Sequence, residues 1–165
     1  MNAKLSLSFL LVTTFLVGCA SSSDIKMNSD VLIENLSIDT VVASNNTGSD
    51  FDGTDVVALM EAAVKTEILK EGLLLVSPER ANHSLEVNII QYTKGNAVAR
   101  WLMPGAGKTI LSVEARLVSE TGTTVAESQA TESIGGGGLY TVGAWKKVFD
   151  KVATSLVKDI KSIAS

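Results

Sequence analysis

The sequence predicts an α+β domain, a two-layer sandwich in which two helices cover one face of a mixed or antiparallel sheet, in the order β-α-β-β-β-β-α. Apolar residues alternate along several short segments, which is typical of half-buried strands. Residues 56–71 and 142–163 instead carry apolar residues at helical spacing. The length of 165 residues fits one domain.

The first part of the domain is predicted to form a β-α-β unit. β-branched residues at 31–44 indicate a strand. A loop rich in turn residues follows, and Asp52 or Thr54 is expected to cap the helix at 56–71. A short apolar strand is expected at 73–76.

The second part reads as three strands around one irregular segment. Leu85, Val87 and Ile89 share a face of the strand at 84–93. Residues 94–108 have no clear period and are expected to be irregular. Strands at 109–120 and 123–133 are joined by a tight hairpin.

The last segment, residues 142–163, predicts a strongly amphipathic helix that packs against the sheet. A run of four glycines at 135–138 is expected to act as the hinge before it. The predicted apolar stripe consists of Trp145, Val148, Phe149, Val152, Leu156, Ile160 and Ile163.

The N-terminus has the pattern of a bacterial lipoprotein signal. One lysine precedes an apolar stretch that is too short to span a bilayer. Leu16-Val17-Gly18-Cys19 resembles the lipobox, in which the cysteine thiol receives a diacylglycerol and the new amino group is acylated, for example with palmitate. We therefore predict a signal peptide at 1–18, a lipidated Cys19 with a flexible tether at 19–30, and a single α+β domain at 31–165.

The residues after this cysteine bear on localisation. Ala20 and Ser21 stand where an aspartate would favour retention in the inner membrane. We therefore expect a lipid anchor in the outer membrane, with the domain facing the periplasm.

The composition excludes several classes of function. The 18 acidic and 14 basic residues give a net charge of −4, which argues against a nucleic-acid partner. A single cysteine leaves no disulfide framework or cysteine-based metal site. His83 is the one histidine, and no nucleophile motif accompanies it. We predict no catalytic residues, no cofactor and no metal site.

The irregular segment contains the best candidates for a contact surface. Pro104 to Thr109 resembles the end of a phosphate-binding loop, but Leu102 stands where the first glycine is required, and a strand is predicted to follow. Burial of Trp101 and Leu102 in the core is the alternative. The candidate partner-binding residues are Arg100, Trp101, Leu102, Met103, Gly105 and Gly107.

A series of short motifs lies within residues 95–165: Gly95-Asn96, Ala99-Arg100, Pro104 to Lys108, Val113 to Val118, Thr121-Gly122, Val125-Ala126 and the glycine run. Together they resemble a bacterial lipoprotein family, domain of unknown function 4410, and the resemblance covers about residues 30–160. Membership implies an envelope lipoprotein and no established biochemical activity.

These observations together favour a non-enzymatic adaptor or accessory lipoprotein that binds an envelope protein or a cell-wall component. A small-ligand carrier or sensor, with a pocket between helix and sheet, is the alternative. A hydrolase is a third and weaker hypothesis, because no catalytic constellation stands out.

Overall fold

The structure, a computed structural model, describes residues 22–27, 33, 36–49, 51, 53–73, 82–103, 106–135 and 143–163. A short 3-10 helix (Ala144–Lys146) precedes the last α-helix. The strands and α-helices in chain order are β1 (Ser22–Met27), β2 (Ile38–Asn45), α1 (Val56–Lys70), β3 (His83–Thr93), α2 (Ala97–Leu102), β4 (Thr109–Ser119), β5 (Thr124–Ile134) and α3 (Lys147–Ser162).

The five strands form one mixed sheet in the order β1-β5-β4-β3-β2. β2 and β3 are parallel, and the helix α1 lies between them in the chain, as parallel neighbours require. The other neighbours pair antiparallel. The α+β class, the mixed sheet and the covering helices are confirmed.

The central strand β4 shows why these residues form a sheet with two different faces. Leu111, Val113 and Leu117 point into the core and are buried, whereas Glu114 and Arg116 between them point to the opposite face. This alternation is the one predicted from the sequence. The neighbouring strands β3 and β5 alternate in the same way as β4, so the sheet has one apolar face, against which the helices pack.

The helix α1 begins at Asp55, whose carboxylate accepts a hydrogen bond from the Ala58 N–H at 2.8 Å. The prediction that Thr54 caps this helix is therefore wrong, because the cap is the next residue, Asp55. The other predicted cap, Asp52, lies outside the described residues. The helix ends where Gly72 adopts a φ of 74° and the Leu73 N–H reaches the Ile68 carbonyl at 3.1 Å.

The helix α3 seals the core with the predicted stripe. Phe149, Val152 and Leu156 are at most 2 % exposed. Trp145, in the 3-10 helix, is only partly buried. Two polar contacts also tie the helix to the sheet: Ser155 donates to the buried Glu132 at 3.0 Å, and Ser128 donates to Asp159 at 2.8 Å. Burial of apolar side chains stabilises the packing of α3 on the sheet, and these hydrogen bonds fix the position of the helix along β5.

Two segments differ from their prediction. Ser22–Met27 is the edge strand β1, paired with β5, so the expected flexible tether is wrong for these six residues. Ala97–Leu102 is the short helix α2 inside the segment expected to be irregular. Of the strand predicted at 73–76, only Leu73 is described, and it is not in a strand.

The packing of α3 gives a direct test of the core. Phe149→Ala removes a buried ring that also contacts Tyr92 and Trp145. We expect the free energy of unfolding, measured by urea titration, to fall by about 3–5 kcal/mol. Leu69→Ala, on the exposed side of α1, is the matched control, with an expected change below about 0.5 kcal/mol. Equal losses in the two variants would contradict the assigned packing.

Candidate functional site

The connection between β3 and β4 has a closed base. The Gly95 N–H donates to Thr109 Oγ1 at 3.1 Å, and the Asn96 N–H donates to the Gly107 carbonyl at 3.1 Å. A Cβ at Gly95 would stand 2.6 Å from both the Gly107 carbonyl oxygen and Thr109 Oγ1. Only glycine allows the two arms of the connection to approach this closely.

The helix α2 stands on this base. The Asn96 side chain accepts hydrogen bonds from the N–H groups of Val98 at 2.9 Å and Ala99 at 3.1 Å, which caps the helix. The Met103 N–H bonds to the Ala99 carbonyl at 3.0 Å and closes its last turn. A six-residue helix is marginal by itself, so these caps and the closed base stabilise it.

The helix α2 and the residue after it expose three apolar side chains to solvent. Val98, Leu102 and Met103 are 65 %, 64 % and 63 % exposed, more than any other large apolar residue in the described part of the chain. Val98 and Leu102 are four residues apart and so lie on one side of the helix. We call these three residues the apolar cluster of α2.

The predicted contact residues can now be placed in part. Leu102 and Met103 belong to the apolar cluster of α2, so the alternative that Leu102 tucks into the core is wrong. Gly107 has a φ of 63° at the base of the connection. Gly105 and the side chains of Arg100 and Trp101 lie outside the described residues.

The phosphate-binding alternative does not fit the backbone. Thr109 begins the strand β4, as predicted, and not the helix whose N-terminus contributes to a phosphate loop. Lys108 is exposed, and its side chain extends past Gly135. The apolar cluster of α2 is therefore the distinctive feature of this connection.

One end of the sheet brings several features together. β3 and β5 finish there, β4 begins there, and α2 lies between β3 and β4 in the chain. We call it the α2 end of the sheet. β1 runs antiparallel to β5, and its first residue, Ser22, pairs with Thr131 near the finish of β5. The described chain thus enters the sheet from the α2 end. Cys19 itself lies outside the described residues.

Exposed lysines surround the α2 end of the sheet. Lys94 follows β3, Lys108 precedes β4, and Lys146 and Lys147 start α3. The Nζ atoms of Lys94 and Lys146 lie 6.0 Å and 5.7 Å from the ring centre of Trp145. Three described carboxylates lie at the same end: Asp55 and Asp150 at the starts of α1 and α3, and the buried Glu132 near the finish of β5.

The one histidine, His83, lies at the start of β3, at the opposite end of that strand from α2. His83 Nδ1 lies 2.6 Å from the Asn82 side-chain oxygen. Burial lowers the pKa of His83, and Glu120 opposes that shift. The described residues contain no group of three or more acidic, histidine or cysteine side chains that could hold a metal ion.

The uncovered face of the sheet carries paired charges. Lys26, Glu127, Arg116 and Glu86 lie in one row across β1, β5, β4 and β3, so their signs alternate. Arg116 Nε contacts Glu127 Oε1 at 3.2 Å. Opposite charges on neighbouring strands satisfy each other, and this face stays hydrated.

The layer between helices and sheet is filled with side chains. It consists of the buried apolar residues of β2 to β5, α1 and α3, several of them without any exposed surface. The predicted alternative, a carrier with a pocket between helix and sheet, needs an empty space in this layer. The described residues do not test it, and it stays a prediction. Among the described residues, no helix has the length and apolarity to cross a bilayer.

Fold and sequence together define the class of this chain: a small α+β domain with one helix-covered sheet. The chain belongs to the family described as Domain of unknown function (DUF4410), whose match extends over residues 20–138. The predicted resemblance to this family is confirmed. No curated protein is significantly similar in sequence.

Solved structures share the fold. A variant PelC dodecamer from Paraburkholderia phytofirmans is similar at 15 % identity and a TM-score of 0.56, over 83 % of this chain and 97 % of that one. A second PelC dodecamer from this organism is 14 % identical, with a TM-score of 0.54, over 82 % of this chain and 97 % of that one. A predicted lipoprotein from Caulobacter crescentus CB15 is a weaker match, 15 % identical with a TM-score of 0.48, over 79 % of this chain and 89 % of that one. At these identities the likeness to the two PelC dodecamers shows the fold alone.

The closed base of the β3–β4 connection can be tested with Gly95→Ala. The added Cβ forces two backbone segments apart, so we expect the free energy of unfolding to fall by about 1–3 kcal/mol. Lys108→Ala, in the same connection but exposed, should change it by less than about 0.5 kcal/mol. Urea titration measures both, and a fully stable Gly95→Ala variant would refute the described geometry.

Proposed function

We propose that this chain is a non-enzymatic accessory lipoprotein of the bacterial outer membrane. Acylated Cys19 anchors it, and the domain faces the periplasm. The β3–β4 connection is its contact surface with another component of the envelope. The observation that carries this proposal is the apolar cluster of α2, exposed on a base held by hydrogen bonds. Exposed apolar groups that lie together are typical of contact surfaces.

The anchor rests on the lipobox pattern at Leu16 to Cys19. One acyl chain gives only marginal membrane binding, whereas two or three make it stable. Membership in the DUF4410 family and the position of Ser22 at an end of the sheet agree with an anchor at the start of the chain.

The contact surface comprises the predicted residues Arg100, Trp101, Leu102, Met103, Gly105 and Gly107, with Val98 added by its exposure. The residue missed from the sequence, Val98, could have been found only by recognising the short helix, since four-residue spacing places it beside Leu102. The cap of α2 and the closed base beside it restrict the conformations of this surface, which reduces the entropy lost on binding.

The non-enzymatic character of the proposal rests on the chemistry of the surface. Its described side chains are apolar and have no base, nucleophile or metal ligand among them. Such a surface recognises shape and apolar area, which suits an adaptor and offers nothing to transfer a proton.

The anchor is tested by Cys19→Ala. Without the thiol no diacylglycerol can be attached, so we expect the variant to lose metabolic labelling by fatty acids and to accumulate as an uncleaved precursor. Gel mobility and mass spectrometry of the purified chain measure both. A Cys19→Ala chain that is processed and fractionates with the outer membrane like the wild type contradicts the anchor.

The contact surface is tested by photo-crosslinking in intact cells. A photoreactive amino acid replaces Leu102 in one variant and Leu69 in the other. Both are exposed leucines at helix ends, but Leu69 ends α1 at the opposite end of the sheet. We expect adducts with envelope components from position 102 and few from position 69. Equal yields from the two positions would refute a contact surface at α2.

A further inference from the structure

We propose that the apolar cluster of α2 enters the lipid surface to which the chain is anchored. The domain would then stand on the membrane with the α2 end of the sheet pointing toward the bilayer. This inference rests on the proposed acylation of Cys19, and it identifies the component that Val98, Leu102 and Met103 contact. A protein at the same surface is the competing outcome.

The length of chain before β1 restricts how far the domain can stand from its anchor. Only residues 20 and 21 lie between Cys19 and Ser22. Three chain steps span at most about 11 Å when fully extended. A lipid at Cys19 therefore holds the first residue of the sheet close to the membrane, whatever conformation those two residues adopt.

The sheet register places that restriction at the α2 end. Ser22 pairs with Thr131, and the last described pair at this end is Thr109 with Ile134, three residues further along β5. Three residues of strand cover about 10 Å, which is the distance that an extended segment from Ser22 to Cys19 would cover. The anchor can therefore reach the level at which β4 begins.

The distance across the sheet between β1, which follows the anchor, and β4, which follows α2, is also short. β1 and β4 are separated only by β5, so two strand spacings, about 10 Å, lie between them. The connection that carries α2 ends in β4, and its base is closed beside Thr109. The lipid anchor and the apolar cluster of α2 are thus held to the same end of one rigid sheet.

The chemistry of this end suits a membrane interface. The apolar cluster of α2 carries no charge, and burying apolar side chains of this size in lipid is favourable. Exposed Lys94, Lys108, Lys146 and Lys147 lie at the same end, where they can meet lipid phosphates. The half-buried Trp145, beside two of these lysines, is of the residue type that prefers the interface.

The test measures membrane depth at two matched positions. Leu102→Cys and Leu69→Cys variants are purified in acylated form, in which Cys19 no longer has a free thiol. An environment-sensitive fluorophore is attached to the new cysteine. The chains are reconstituted in vesicles of phosphatidylethanolamine and phosphatidylglycerol that contain a lipid-borne quencher.

We expect blue-shifted emission and severalfold stronger lipid-borne quenching at position 102 than at position 69. A third variant places the label at Val98→Cys and adds Leu102→Asp and Met103→Asp. Its quenching should fall toward the value at position 69, because charged side chains oppose entry into lipid.

Two results would overturn the inference. One is equal quenching at positions 102 and 69 in vesicles that still carry the acylated chain. The other is an adduct from position 102 in cells that consists of one defined protein and no lipid. Neither result contradicts the anchor, so only the lipid contact fails. Wild-type chain from cells that shows no acyl mass and does not float with the vesicles overturns the proposed anchor as well.

Discussion

The antiparallel pairing of β1 with β5 is the interaction on which the arrangement of the domain depends. It ties the start of the described chain to the middle of the fold, because β5 also pairs with β4 and contacts α3. Ser23 of β1 even donates to Asp159 of α3, the carboxylate that also accepts from Ser128. β1 is thereby held by both layers of the sandwich, so the entry point of the chain is fixed relative to α2.

The two faces of the sheet are specialised in a way that supports this geometry. The helix-covered face is lined with apolar side chains, and the buried Glu132 on it accepts a hydrogen bond from Ser155. On the opposite face, positive and negative side chains alternate across neighbouring strands, and burying these charges would be unfavourable. Among the described residues, the apolar side chains with the greatest exposure lie in the apolar cluster of α2 and not on either face of the sheet.

The segments predicted correctly from the sequence are those with a long hydrophobic period. β4 and α3 each repeat their apolar spacing over at least three turns or pleats, and nothing in their surroundings overrides it. β1 escaped prediction because its inward positions are Ser23, Ile25 and Met27, none of them fully buried, and backbone pairing stabilises it instead. α2 escaped because six residues hold less than two turns. The closed base beside α2 joins Gly95 to Thr109, 14 residues later, which no local pattern encodes.

The separation of β1 from its partner in the chain has a consequence for biogenesis. Ser22 pairs with Thr131, 109 residues later, so the sheet cannot be completed until nearly all of the domain has been synthesised. Closing so long a loop is entropically costly and slow compared with forming the β4–β5 hairpin. β1 is the first strand to emerge and the last to pair, and its unpaired edge is open to intermolecular pairing until β5 arrives. Its short, polar sequence limits that risk of aggregation.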